Sequence, residues 1–169
     1  SNITVTAGSL TGTTTFTPTD DSLYDATSNE TATVSIDSVS GGDALENGTQ
    51  SVTITITDNE SAPTVTLSRS AAAIDENSSS TVTITATLSN ATYQDVTVSI
   101  GASGGTEGTD YATISDITIS AGSTTGTASL DPTDDSVYED DEAVTVTIDG
   151  VSGGSASESG SQSVTITIT

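Results

Sequence analysis

Val82-Thr83-Ile84-Thr85-Ala86-Thr87-Leu88 places an aliphatic side chain at every second position and a Thr at each one between. Successive side chains of an extended chain point to opposite faces, so this stretch buries one face and wets the other. Val52-Thr-Ile54-Thr-Ile56-Thr57, Val144-Thr-Val146-Thr-Ile148 and Val164-Thr-Ile166-Thr-Ile168 read the same way, and Val96 to Ile100 and Ile117 to Ile119 do so more briefly. β-Branched residues on both faces favour the pleated conformation. Glycine-rich clusters such as Ser40-Gly41-Gly42-Asp43, Ser103-Gly104-Gly105 and Ser152-Gly153-Gly154 separate the runs as turns. No stretch carries helical periodicity of useful length. The pattern predicts an all-β fold built as a β-sandwich.

The chain has 169 residues, with 24 acids against a single base, Arg69, and a formal net charge of −23. Such a field repels phosphate backbones and anionic membrane surfaces, so no nucleic-acid partner is expected. No apolar run approaches the roughly 20 residues of a spanning helix, so no membrane insertion is expected either. The chain lacks Cys and His, which excludes disulfides, zinc sites, thiol nucleophiles and imidazole bases. A glycosidase carboxylate pair is the one catalytic reading left. The aromatic residues that would hold sugars (Phe16, Tyr24, Tyr93, Tyr111, Tyr138) are scattered singly, and no enzyme is expected. Carboxylates, hydroxyls and backbone carbonyls remain, the ligand set of a hard cation such as calcium.

An internal repeat organises the chain. Ile3 to Asp25 matches Ile117 to Glu139 at an offset of 114, with 14 of 23 positions identical. Glu30 to Thr57 matches Glu142 to Thr169 at an offset of 112, with 20 of 28 identical. A small insertion near Ala26 to Asn29 accounts for the difference. Residues 1–57 therefore read as the C-terminal half of a repeat, 58–63 as an acidic junction, and 64–169 as a nearly complete second repeat. The expected setting is a longer tandem array. In it, the aliphatic rows of 1–57 are covered by strands of neighbouring repeats, or by head-to-tail copies in a filament. Tyr24 and Tyr138 are repeat-equivalent, which predicts core packing for both.

Asp131-Pro-Thr-Asp134-Asp135-Ser-Val-Tyr138-Glu139-Asp140-Asp141-Glu142 holds seven carboxylates in twelve residues. Like charges at this density oppose folding unless a cation neutralises them. The earlier copy reads Asp20-Asp21-Ser-Leu-Tyr24-Asp25 and then Glu30. Further acids stand at expected strand ends, among them Glu76, Asp110, Asp58 and Glu60. Calcium ligation and a solvated acidic edge both account for such a pattern. Asp140 and Asp141 read as solvated neighbours, and Asp37 and Asp149 as turn formers just after strands. All six Asn residues stand in Asn-x-Ser/Thr triplets, an N-glycan acceptor pattern that turn-then-strand sequences also produce.

Four words in this order resemble the Calx-beta domains: Ile74-Asp-Glu-Asn, Gly108-Thr-Asp-Tyr, the run from Asp134-Asp135 to Glu142, and Asp58-Asn-Glu. The resemblance covers 64–169 and part of 1–60. It implies tandem immunoglobulin-like antiparallel sandwiches. It also implies calcium held by Glu76, Asp110, Asp134, Asp135, Glu139 and Glu142, with an acidic exit segment matching Asp58 and Glu60. In the first copy the corresponding acids are Asp20, Asp21, Asp25 and Glu30. The function this reading predicts is a calcium-stiffened structural segment of an extracellular surface, matrix or filament protein. The alternative is an adhesin module that holds carbohydrate or a protein through its loops.

Overall fold

The computed structural model describes residues 2–25 and 30–169; the expected insertion at 26–29, with the Asn29 triplet, lies outside the described residues. In chain order the strands are β1 (Leu23–Tyr24), β2 (Glu30–Ser35), β3 (Ser51–Ile56), β4 (Thr64–Arg69), β5 (Ala73–Ile74), β6 (Val82–Leu88) and β7 (Ala91–Thr92). They continue as β8 (Val96–Ser103), β9 (Ile117–Ile119), β10 (Thr125–Leu130), β11 (Glu142–Ser152), β12 (Ser157–Glu158) and β13 (Ser163–Ile168). The fold is all-β, as the alternating runs predict. Among the described residues no helix is long and apolar enough to cross a membrane. The chain divides into two compact units, one of Ser1–Asp21 with Glu30–Ile56 and one of Ser22–Asn29 with Thr57–Thr169.

The second unit is a sandwich of a four-stranded sheet, ordered β10-β6-β4-β12, and a five-stranded sheet, ordered β5-β13-β11-β8-β9. The long strands pair antiparallel, while the short β12 and β5 add in parallel to β4 and β13. In β6 all four aliphatic positions are buried and every Thr between them is half-buried. That alternation is the period-two pattern realised. Val65, Val82, Ile84, Ala86, Leu88 and Leu130 of one sheet meet Val96, Val98, Ile117, Ile119, Val144, Val146, Ile166 and Ile168 of the other in one core. Thr on the outer faces lets the strands stay wet without forming an apolar surface.

Asp149 is not the turn former that its sequence position predicts. β11 continues to Ser152, and its register against β8 shifts between Ile148 and Gly150, so Asp149 is the bulged residue. A Cβ on Gly101 would lie 2.4 Å from the Asp149 carboxylate. The glycine therefore makes room for the bulge, which bends the long strand.

In the first unit β2 and β3 pair antiparallel, from Glu30 opposite Ile56 to Ser35 opposite Ser51. Residues 3–16 form no strand, although their equivalents 117–130 supply β9 and β10. The reason is pairing: β9 hydrogen-bonds to β8 and β10 to β6. No counterpart of β6 or β8 exists among the described residues of the first unit. Local packing nonetheless survives. A Cβ on Gly12 would meet the Thr4 carbonyl oxygen at 2.5 Å, and one on Gly126 would meet that of Thr118 at the same distance. The cost of missing partners shows in exposure: Ile3 is 52% exposed and its equivalent Ile117 0%. Val34 and Phe16 are also exposed, whereas their equivalents Val146 and Leu130 are buried.

Candidate metal centre

Four parts of the second unit converge at one end of the five-stranded sheet. Glu142 opens β11, opposite Ile168 of β13. Glu76 follows β5, and its N–H donates to the carbonyl of Thr169 at 2.9 Å. Asp110 lies in the loop after β8, and Glu139 in the acidic loop after β10. The loop after β8 crosses close over β11: a Cβ on Gly104, whose φ is +81°, would sit 2.1 Å from the Ala143 carbonyl oxygen. Only glycine fits that approach in that conformation. A Cβ on Gly105 would touch the Glu142 carboxylate and the Tyr111 ring, both at 3.3 Å. The glycine pair, readable from the sequence only as a turn, is thus what brings Asp110 to Glu142.

Asp110 is held from several directions. Its carboxylate accepts the Thr106 N–H, its own N–H donates to the Thr106 carbonyl at 2.9 Å, and its carbonyl accepts the Thr133 N–H at 2.9 Å. The last bond ties the acidic loop to the loop after β8. Carboxylate oxygens of Asp110, Glu139 and Glu142 all lie within 4.8 Å of one another. Glu76, Asp140, Ile168 and Thr169 line the same cavity, of about 30 Å³. Asp110 is buried, Glu142 half-buried and Glu139 exposed.

The electrostatics register the crowding. The Glu142 carboxyl is raised above its ordinary value, first by a hydrogen bond shared with the Asp110 carboxyl, then by lost hydration and the charges of Asp110, Glu139 and Glu76. Glu139 is raised by lost hydration and then by Asp110, Asp135 and Glu76. Burial, with Glu107, Asp110 and Glu142 nearby, pushes the Tyr111 hydroxyl up. A cation at the centre would reverse each of these repulsions.

The donor set fits calcium. It is all oxygen, and ligands at 2.3–2.6 Å from one ion stand at most about 5 Å apart. Glu76, Asp110, Glu139 and Glu142 are the residues that would hold it. Asp135 stands beside them in another role: its N–H donates to Glu76 Oε1 at 3.3 Å, and its Oδ1 accepts the Val137 N–H at 2.5 Å. Asp134 is exposed on the acidic loop, outside the three-carboxylate group. Asp140, read from the sequence as solvated, lines the cavity.

The first-copy acids divide between the units. Asp20, Asp21 and Glu30 belong to the first, and Asp25, Asp58 and Glu60 to the second. Asp58 accepts the Asp25 N–H at 2.8 Å and the Glu60 N–H at 3.4 Å. Its carboxyl is held below the ordinary range, chiefly by the Asp25 N–H and then by the Glu60 side chain. Tyr138 departs from expectation. It is 91% exposed rather than packed in the core, because nothing among the described residues covers it, while its equivalent Tyr24 is half-buried in β1 beside β7.

The second unit is an all-β sandwich that gathers acidic side chains at one end of its five-stranded sheet. The LapA domain matches residues 61–169, and the chain belongs to that family. This corrects the resemblance drawn from the four acidic words: the family is LapA and not Calx-beta. A solved structure of the apo-form Calx CBD1 domain aligns with a TM-score of 0.49 at 16% identity, over 62% of this chain and 96% of that one. At that distance it transfers no ligand to this chain. No curated protein matches.

Proposed function

We propose that this chain is a structural repeat segment of an extracellular surface or filament protein, stiffened by calcium bound at Glu76, Asp110, Glu139 and Glu142. The observation that carries the reading is the Asp110–Glu139–Glu142 group, three carboxylates from three separate segments with oxygens within 4.8 Å. Bound calcium would neutralise their repulsion and tie the acidic loop and the loop after β8 to the first residue of β11. Membership of the LapA domain family supports a cell-surface, adhesion-related setting. The internal repeat and the exposed aliphatic row of the first unit support an array in which neighbouring repeats cover one another. The role proposed is non-catalytic, and a small cavity lined by Glu76, Asp110, Glu139 and Glu142 is of a size to take an ion.

Thermal melts of the 169-residue chain in millimolar calcium and in chelator test this. A ligand bound only by the native state adds about 2.7 kcal/mol at a hundredfold excess over Kd. The calcium melt should therefore lie several degrees higher. Identical melts would overturn the calcium reading.

A further inference from the structure

The internal repeat allows one segment to be seen in two situations. In the first copy Leu23 and Tyr24 form β1, which pairs in parallel with β7, Leu23 opposite Ala91 and Tyr24 opposite Thr92. The Tyr93 N–H donates to the Tyr24 carbonyl at 3.4 Å. Both side chains are half-buried there. In the second copy the same positions are Val137 and Tyr138, 60% and 91% exposed. They are the one sequence-adjacent pair among the exposed large hydrophobics of the described residues.

We propose that Val137 and Tyr138 are a docking strand for the Ala91–Thr92 segment of a further repeat joined after Thr169. The occupant is identified by the precedent: the equivalent pair already lies on such a segment, in register, within this structure. A separate second copy does not serve, since its β7 is already paired with its own β1. The loop is prepared for the contact, because Asp135 Oδ1 accepts the Val137 N–H and the Thr133 N–H anchors the loop to the Asp110 carbonyl at 2.9 Å. In the precedent the same linkage continues from Asp25 to Asp58, so the docking strand and the acidic junction act together. Each repeat would then add a two-residue strand to the sandwich after it, fixing successive repeats by backbone pairing as well as by the linker. This rests on reading the chain as a string of repeats, and not on calcium.

The test joins a second copy of residues 58–169 after Thr169, with Tyr138→Phe in the added copy so that one Tyr138 reports. Tyrosine nitration is followed residue by residue by mass spectrometry, in calcium and in chelator. Tyr138 should react roughly fivefold or more slowly in the extended chain than in the 169-residue chain, and Val137→Asp should restore its reactivity. Leu23→Asp in the 169-residue chain should likewise expose Tyr24 and speed exchange of the Tyr93 amide. Tyr138 reacting within about twofold in both chains, or Tyr24 unmoved by Leu23→Asp, overturns the inference. A calcium-dependent melt with Tyr138 unprotected overturns this inference alone; protection of Tyr138 with no calcium-dependent melt overturns the calcium reading alone.

Discussion

The backbone N–H of Asp25 donates to Oδ2 of Asp58 at 2.8 Å, joining residues 33 positions apart. The bond holds the end of β1 against the junction, next to its pairing with β7. Asp58→Ala should therefore speed exchange of the Asp25 amide and raise the reactivity of Tyr24. The core of 64–169 should keep its protection.

The same bond has a pH dependence with a definite sign. The folded-state value of Asp58 is lowered from 3.8, so its contribution is complete above that value and is lost as pH falls through the lower folded one. The protection of the Asp25 amide, corrected for its intrinsic exchange rate, should be full at about pH 6 and fall as the pH drops below the ordinary carboxylate range. Persistent protection at the lower pH would show that strand pairing alone holds β1.

At the acidic cavity the sign is opposite. The folded values of Glu139 and Glu142 are raised from 4.5, so the stability they contribute is complete below the unfolded value and lost as pH rises through the folded ones. In chelator, the melting temperature of the second unit should rise as pH is lowered from 7 toward 4.5. In calcium the trend should weaken or invert, because protons compete with the ion for the same oxygens. Parallel profiles in the two solutions would count against calcium at this site.

Ligand variants separate the carboxylates. Asp110→Asn with Glu142→Gln should abolish the calcium-dependent melt shift, while Asp134→Asn, outside the group, should leave it. Isothermal titration on the same variants checks that binding, and not only folding, has moved.

Equivalent core positions should respond unequally. Ile117→Ala removes a fully buried side chain and should cost about 2–5 kcal/mol in a denaturant melt of the second unit. Ile3→Ala alters a half-exposed one and should cost under about 1 kcal/mol. Equal costs would mean that Ile3 is covered in solution by another chain.

The sandwich was legible because a two-residue period suits an extended chain with one buried face and does not suit a helix. The strands at 82–88, 144–148 and 164–168 follow directly from it. Strand pairing was not legible at 3–16, whose sequence is nearly that of β9 and β10, because a strand also needs a neighbour to hydrogen-bond. The bulge at Asp149 was hidden for a related reason. An Asp before Gly reads as a turn, and only the Gly101 gap across the ladder shows that the strand continues. Glu76, Asp110, Glu139 and Glu142 were singled out by the resemblance and by their place at strand ends, and the fold gathers them around one cavity. The separation of Asp134 from Glu139 depends on how the acidic loop folds, which the seven-acid run does not encode. Tyr138 misled because equivalence of sequence is not equivalence of surroundings.

The parallel pairing of β5 with β13 matters for a molecule under tension. These two strands lie near opposite ends of the second unit, yet run side by side in the same direction. Thr167 N–H to the Ala72 carbonyl, Thr169 N–H to the Ile74 carbonyl and Glu76 N–H to the Thr169 carbonyl join them at 2.9–3.0 Å. Pulling the ends of the unit apart slides one strand along the other, so these bonds are loaded together in shear and do not open one at a time. Glu76 is both the last link of this clasp and a wall of the acidic cavity. An ion held there would brace the clasp at the point where extension begins.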